Sequence, residues 1–351
     1  MIKVALVGVG NCASTLVQGI YYYSNRTEDN PIGLMHKSFG GYQIQDIQFV
    51  AAFDVDSRKV GRDLSEAIFA EPNCTKKIMD VPHIGVTVKK GRVLDGVAPH
   101  MKDFFVVDDN VAEQDIVDEL KKSGAEILIC YLPVGSAKAA RFYADQALQA
   151  GVGFINAIPE FICSDPEWIQ KFREKGLPCA GDDVKSQVGA TILHRILTRL
   201  VYDRGEVIDD TYQLNIGGNT DFLNMKDESR IVSKRKSKTQ SVTSIIDDPN
   251  LKVRIGPSDW VPHLKDNKVC YINIKGRQFG DIPFELDVKL SVEDSPNSAG
   301  VMVDVIRAMK IALDRGMSGN LEAISSYAFK SPLVQYRDDL ARQKVEEFIK
   351  G

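Results

Sequence analysis

Residues 2–7 (Ile-Lys-Val-Ala-Leu-Val) form a short apolar run that ends in Gly8-Val9-Gly10-Asn11-Cys12-Ala13, and residues 14–23 read as a helix. No other stretch constrains the fold as much as this strand, glycine turn and helix. The spacing is Gly-x-Gly-x-x-Ala. In such a turn the first glycine permits the tight bend and the second lets the backbone approach a pyrophosphate. The small third residue brings the helix close to the strand, and the helix N-terminus faces the anion. Gly8, Gly10, Asn11, Cys12 and Ala13 are therefore the first candidate dinucleotide contacts. A glycine turn also forms without a ligand, so a partner is needed. The partner is an acid closing the second strand. Phe49-Val50-Ala51-Ala52-Phe53-Asp54 supplies it in Asp54, later in the chain than usual. The intervening residues 25–46, rich in Gly and polar side chains, read as an insertion over the cofactor face. An acid at Asp54 suits ribose hydroxyls and disfavours a 2′-phosphate, so NAD is expected over NADP.

Further apolar runs at 104–107, 126–132 and 153–157 read as strands, with a helix over 137–150. Strands alternating with helices imply an α/β fold, a Rossmann-like doubly wound parallel sheet. Ligands bind at the carboxyl ends of such strands, which puts Pro133, Gly135, Ser136 and Asn156 on the same rim as Asp54. From about residue 205 the pattern changes. Residues 211–217, 269–275 and 284–292 alternate between polar turns and read as an antiparallel, one-face-buried sheet, hence a second α+β domain. A helix over 301–315 is expected to return to the first domain. The chain's 351 residues exceed one typical core. The division expected is 1–200 for an NAD-binding domain, 201–296 for a catalytic and oligomerisation domain, and 297–351 for a segment packing back on the first.

With 44% hydrophobic and 26% charged residues and a net charge of −4, the chain has no electrostatic bias towards nucleic acid or an anionic membrane. No apolar stretch is long enough to span a bilayer, and the N-terminus runs into a strand instead of a signal-peptide layout, so cytoplasm is the expected location. The six cysteines contain no CxxC pair and read as buried free thiols; the five histidines show no ligand spacing, and no metal residue is assigned.

Chemistry concentrates elsewhere. Ser233-Lys234-Arg235-Lys236-Ser237-Lys238 packs four cations into five positions, and on a helix Lys234 and Lys238 share a face. Neighbouring lysines depress each other's pKa, which suits proton transfer, while a charged lysine can hold a phosphate. A solvated basic face has the same composition. Gly181-Asp182-Asp183-Val184-Lys185-Ser186-Gln187 precedes an apolar helix and forms a candidate phosphate seat at its N-terminus, or a simple acidic cap. Asp294, in Glu293-Asp294-Ser295-Pro296-Asn297, could orient a lysine; Lys268 and Lys330, each taken alone, read as surface residues.

Together these stretches resemble the myo-inositol-1-phosphate synthases, especially the shorter archaeal and bacterial members. The resemblance is carried by Leu132-Pro133-Val134-Gly135-Ser136, Gly181 to Ser186, the double Ser-Lys of residues 233–238, Asn267-Lys268, Glu293-Asp294-Ser295 and Phe329-Lys330-Ser331-Pro332-Leu333, in the family's order across nearly the whole chain. It implies an NAD-dependent isomerase of inositol and phospholipid biosynthesis. D-glucose 6-phosphate would be oxidised at C5, closed by intramolecular aldol addition of C6 to C1, and reduced again to 1L-myo-inositol 1-phosphate. It further implies that Lys234 takes the C5 hydroxyl proton, with Asp183 or Asp294 as orienter. Lys238, Lys268 and Lys330 would stabilise oxyanion charge, and Lys185, Ser186, Gln187 and Lys238 would hold the substrate; Asp182 joins the cofactor contacts. A homotetramer is implied too. Some prokaryotic relatives use a divalent cation, in which Asp183 and Asp294 could take part. This chain departs from some relatives at Gly8-Val9-Gly10-Asn11-Cys12 and from the larger members at Ser186-Gln187-Val188-Gly189. Two other readings share the nucleotide-binding half: a conventional NAD-dependent dehydrogenase of a small phosphorylated substrate, and a non-catalytic NAD or sugar-phosphate binder.

Overall fold

The structure, a computed structural model, describes residues 1–26, 31–244 and 251–351; the side chains of Val232, Arg235, Lys238, Thr239 and Gln240 also lie outside the described residues. In chain order the strands are β1 (Ile2–Val7), β2 (Ile47–Asp54), β3 (Val88–Lys90), β4 (Ile127–Cys130), β5 (Gly153–Asn156), β6 (Pro178–Gly181), β7 (Val207–Gly217), β8 (Lys252–Trp260), β9 (Asn267–Gln278), β10 (Ile282–Glu293) and β11 (Gly319–Asn320). The helices are α1 (Asn11–Ser24), α2 (Leu64–Ala67), α3 (Ile116–Ser123), α4 (Ala137–Ala150), α5 (Pro166–Glu174), α6 (Ala190–Asp203), α7 (Thr220–Asn224), α8 (Val232–Thr243), α9 (Asp294–Asp314), α10 (Glu322–Ala328) and α11 (Asp338–Lys350).

Seven strands form a parallel sheet in the order β11-β6-β5-β4-β1-β2-β3. Reading β3-β2-β1-β4-β5-β6 gives the doubly wound order, whose switch point lies between β1 and β4. Alternate residues of β1 feed two cores. Ile2, Val4 and Leu6 pack with α1, α9, α10 and α11 on one face, and Ala5 and Val7 pack with α3, α4 and α5 on the other. Strands covered on both faces are apolar throughout, so β4, β5 and β6 are buried at every position. The 21-residue α9 is buried along most of its length because it lies between the sheet and α1. The C-terminal part thus returns to the first sheet through α9 and β11.

The expected strand at 104–107 does not form: only Val107 bridges, to Asp56, and β3 takes the edge instead. That run is apolar because Phe105, with Ala98 and Met101, packs on Leu223 and Trp260 of the second half.

The second sheet runs β10-β9-β7-β8. Its β7, β9 and β10 are antiparallel as expected, but β8 pairs parallel to β7, so the sheet is mixed. Strand β8 hides in the sequence because Gly256 and Pro257 interrupt it; Pro257 sits beside a register shift on this edge strand. Helix α6 covers one face through Ala190, Leu193 and Leu197 against Cys270, Ile272 and Ile274.

Of the expected insertion at 25–46, residues 27–30 lie outside the described residues, and the described residues 36–42 pack on α9 instead of over the cofactor face. Asp304 and Arg307 of α9 hold them: His36 Nδ1 lies 2.5 Å from Asp304 Oδ2, and Arg307 donates to the carbonyls of His36, Lys37 and Tyr42.

Candidate active site

A cavity of about 240 Å³ opens at the carboxyl ends of β1, β2 and β4 and is closed on its other side by α7, α8 and the start of α9. Gly8 forms the turn after β1 with φ +87°, and a Cβ there would lie 2.6 Å from the Tyr131 carbonyl oxygen. Only glycine fits both constraints. A Cβ at Gly10 would meet nothing within 4 Å, and this residue caps α1 without any side-chain hydrogen bond. The first backbone N–H groups of α1 are therefore left for an anion.

Asp54 lines the same cavity. Its Oδ2 accepts from Val9 N at 2.7 Å, and its Oδ1 accepts from Val55 N and Asp56 N at 2.7 and 2.9 Å. A carboxylate has about four acceptor sites, so one remains for a ribose hydroxyl. Buried Lys59 donates to the Val9 carbonyl and to Asn73 Oδ1, each at 2.9 Å. Asn11 Oδ1 accepts from Cys74 N at 2.7 Å and so clamps the loop that carries Asn73. Cys12 and Ala13 line the cavity; burial pushes the Cys12 thiol up to about 12, so it stays protonated. Cys12 and Cys74 are half-buried and the other four cysteines fully buried, all as free thiols.

The other expected cofactor contacts divide. Pro133 lines the cavity, whereas Gly135 and Ser136 do not. Ser136 Oγ donates to the Pro133 carbonyl at 2.6 Å, and Arg230 packs over Gly135. Asn156 is buried and donates to Asp182 Oδ1 at 2.7 Å. Asp182 also accepts from Ile162 N, Cys163 N, Ser164 N and Ser164 Oγ, so it anchors the loop after β5 from beneath the cavity. Burial raises its pKa to about 6.

Across from the glycine turn, three lysine–aspartate pairs line the cavity. Lys234 Nζ, on α8, lies 2.6 Å from Asp221 Oδ2 of α7. Lys268 Nζ, at the start of β9, lies 2.9 Å from Asp294 Oδ1 in the first turn of α9. Lys330 Nζ lies 2.8 Å from Asp183 Oδ1, whose Oδ2 accepts from Ser237 Oγ at 2.7 Å. Burial would raise the Asp183 and Asp294 carboxyls, but the cations Lys330, Lys268 and Lys234 outweigh it and hold both below the usual range. Lys330 is shifted down by burial, with Lys234 and Lys268 adding to the effect. Lys268 is shifted up, because Asp294 overcomes its burial. The side chain of Lys238 lies outside the described residues.

Of the three expected substrate contacts beside Asp183, Ser186 faces the cavity. Lys185 donates instead to the Ser326 carbonyl at 2.8 Å, and Gln187 Nε2 donates to the Gly33 carbonyl at 3.0 Å. A small adjoining recess brings Ser186 together with Gly189, Ala190, Lys268 and Asn297 at the N-terminus of α6, whose cap Gly189 makes no side-chain hydrogen bond. Asp221 and its neighbour Asn219, which caps α7 by accepting from Asp221 N and Phe222 N, were not singled out in the sequence. Asn-Thr-Asp after a Gly-Gly pair is a legible helix start, but it carries no sign of its lysine partner. Buried Asp266 likewise carries no local sequence signal; it accepts from Asn219 Nδ2 and Ser295 Oγ. Among the described residues no group of three His, Cys, Asp or Glu side chains is arranged to hold a metal, and no helix is long and apolar enough to cross a membrane.

A doubly wound sheet with a glycine turn at its switch point, facing three lysine–aspartate pairs, defines a Rossmann-type enzyme. The family model for myo-inositol-1-phosphate synthase matches residues 189–295. The inositol-3-phosphate synthase of Mycolicibacterium smegmatis is 54% identical over 100% of this chain and 98% of that protein. The Corynebacterium glutamicum inositol-3-phosphate synthase is 52% identical over 99% and 98%. Among solved structures, that of Ari2 superposes with a TM-score of 0.81 at 34% identity, covering 99% of this chain and 98% of that one. The chain belongs to the inositol-3-phosphate (myo-inositol-1-phosphate) synthase family.

Proposed function

We propose that this enzyme converts D-glucose 6-phosphate to 1L-myo-inositol 1-phosphate, with NAD as a recycled cofactor. The observation that carries the reading is the placement of three lysines, each paired with an aspartate, in the cavity that also holds the glycine turn. The family supplies the substrate. The open N-terminus of α1, the space at Gly10 and the remaining acceptor on Asp54 fit a dinucleotide without a 2′-phosphate. NAD, when bound, would accept a hydride from the substrate and give it back.

The chain's own residues would do the rest. Ser186 and the N-terminus of α6 would hold the phosphate ester, with Lys268 beside them. Lys234, after passing its own proton to Asp221 across their 2.6 Å contact, would take the proton from the C5 hydroxyl. Lys330 and Lys268 would face the oxygens that gain negative charge, at C5 and then at C1 as the ring closes. Fixed cations in an enclosed site stabilise such charge far better than water does. The substrate's own phosphate would take the C6 proton before C6 adds to C1, so no histidine is required; the cavity lining contains none among the described residues. A cytoplasmic location belongs to the same reading, supported by six free thiols.

A labelled substrate tests the proposal. D-glucose 6-phosphate deuterated at C5 should give an inositol phosphate that keeps the deuterium, because the hydrogen removed is the one returned. Product in which the label has been exchanged with solvent would count against it.

A further inference from the structure

Outside the cavity, one carboxylate holds two buried cations. Lys185 is 1% and Arg195 0% exposed. Lys185 Nζ lies 3.4 Å from Asp338 Oδ1, and Arg195 Nε donates to Asp338 Oδ2 at 2.8 Å. Among the described residues no other carboxylate forms an ion pair with either cation. Asp338 opens α11, far along the chain from both partners, and none of the three lines the cavity.

The knot reaches two of the cavity lysines by separate routes. Lys185 N donates to the Ala328 carbonyl at 2.8 Å, Lys330 N to the Asp183 carbonyl at 2.7 Å, and Ser331 N to the Asp182 carbonyl at 3.0 Å. This short ladder fixes Lys330 against Asp183, so moving Lys185 moves both. Arg195 takes the second route. Its guanidinium donates to the Ser241 carbonyl, to Ser244 Oγ at 3.4 Å and to the Tyr336 carbonyl at 3.0 Å, which fixes the C-terminal end of α8. Helix α8 carries Lys234 and Ser237.

We propose that Asp338 is a positioning residue: by bridging Lys185 and Arg195, its carboxylate sets the placement of Lys330 relative to Lys234 across the cavity. The inference rests on the reading of that cavity as the synthase site. Removing the negative charge would leave two buried cations facing each other without a counter-ion, and a buried charge stripped of its partner is strongly unfavourable. Both would swing towards water and take their elements with them. A displacement of about 1 Å in a reacting group costs up to about a hundredfold in rate.

The test compares full-length wild type, Asp338→Asn and Asp338→Glu. The measurements are thermal stability, NAD affinity by calorimetry, kcat on D-glucose 6-phosphate, and the rate of reductive methylation of Lys330 and Lys234 by peptide mass spectrometry. Asp338→Asn should lose roughly ten- to a hundredfold in kcat while NAD affinity stays near wild type. Its Lys330 should also be methylated several-fold faster. Asp338→Glu should restore much of the rate. A kcat near wild type for Asp338→Asn, or a loss that merely follows the unfolded fraction with unchanged methylation, would overturn the inference. If wild type forms no inositol phosphate, the functional reading fails by itself, and the methylation rates still decide the positioning role.

Discussion

Each of the three paired lysines depends on one aspartate from another segment of the chain: Lys234 on Asp221, Lys268 on Asp294, Lys330 on Asp183. Pairing keeps three cations together in one cavity, where three unpaired ones would repel and lose their protons. Lys234→Ala removes the proton acceptor assigned to C5. It should lower kcat by about 10² to 10⁴ and leave NAD affinity near wild type, because the glycine turn and Asp54 that would hold the dinucleotide are unchanged; steady-state rates and calorimetry check both. Lys234, Asp183 and Asp294 stand in motifs readable from the residues, whereas Lys268 and Lys330 read singly as surface residues and join them only through the family's order. The resemblance implies that Lys185 and Gln187 hold the substrate, yet they point elsewhere. Residues two apart in an extended segment share a face, but the left-handed backbone at Asp183 (φ +63°) breaks that alternation and sends Lys185 away.

At the scale of elements, apolar periodicity marked β1, β2, β4, β5, α1 and α4 because each faces a core, and it failed where another force shaped the pattern. Residues 104–107 are apolar because they meet the second half of the molecule, and β8 is obscured by Gly256 and Pro257. The join between α6 and the second sheet has a pH signature. His194 of α6 is fully buried, 2.8 Å from Thr211 Oγ1 and 3.3 Å from Gln213 Oε1 of β7. Burial lowers its pKa to about 4 from 6.5. The unfolded chain therefore binds a proton below pH 6.5 that the folded chain refuses until about pH 4, so stability is lost as pH falls through that window. The loss from this group is about 3 kcal/mol. In urea titrations at pH 7 and pH 4, His194→Gln should narrow the stability difference by about that amount; an unchanged difference would mean that His194 takes up its proton in the folded state.

At the scale of the whole molecule, the two sheets and α9 bring together residues from the first and last parts of the chain. The doubly wound fold was legible because one glycine turn and a run of buried strands leave few alternatives. The position of residues 25–46 was not, since their contacts with Asp304 and Arg307 lie far along the chain and leave no local pattern. The central claim is that these lysines and the glycine turn serve one redox-neutral reaction. The most direct test supplies D-glucose 6-phosphate with NAD⁺ well below stoichiometric amounts and follows product by ¹H and ³¹P NMR alongside absorbance at about 340 nm, where reduced nicotinamide absorbs. Many molecules of 1L-myo-inositol 1-phosphate should form per NAD with no lasting rise in absorbance. Reduced cofactor accumulating in step with an oxidised sugar phosphate would contradict the account.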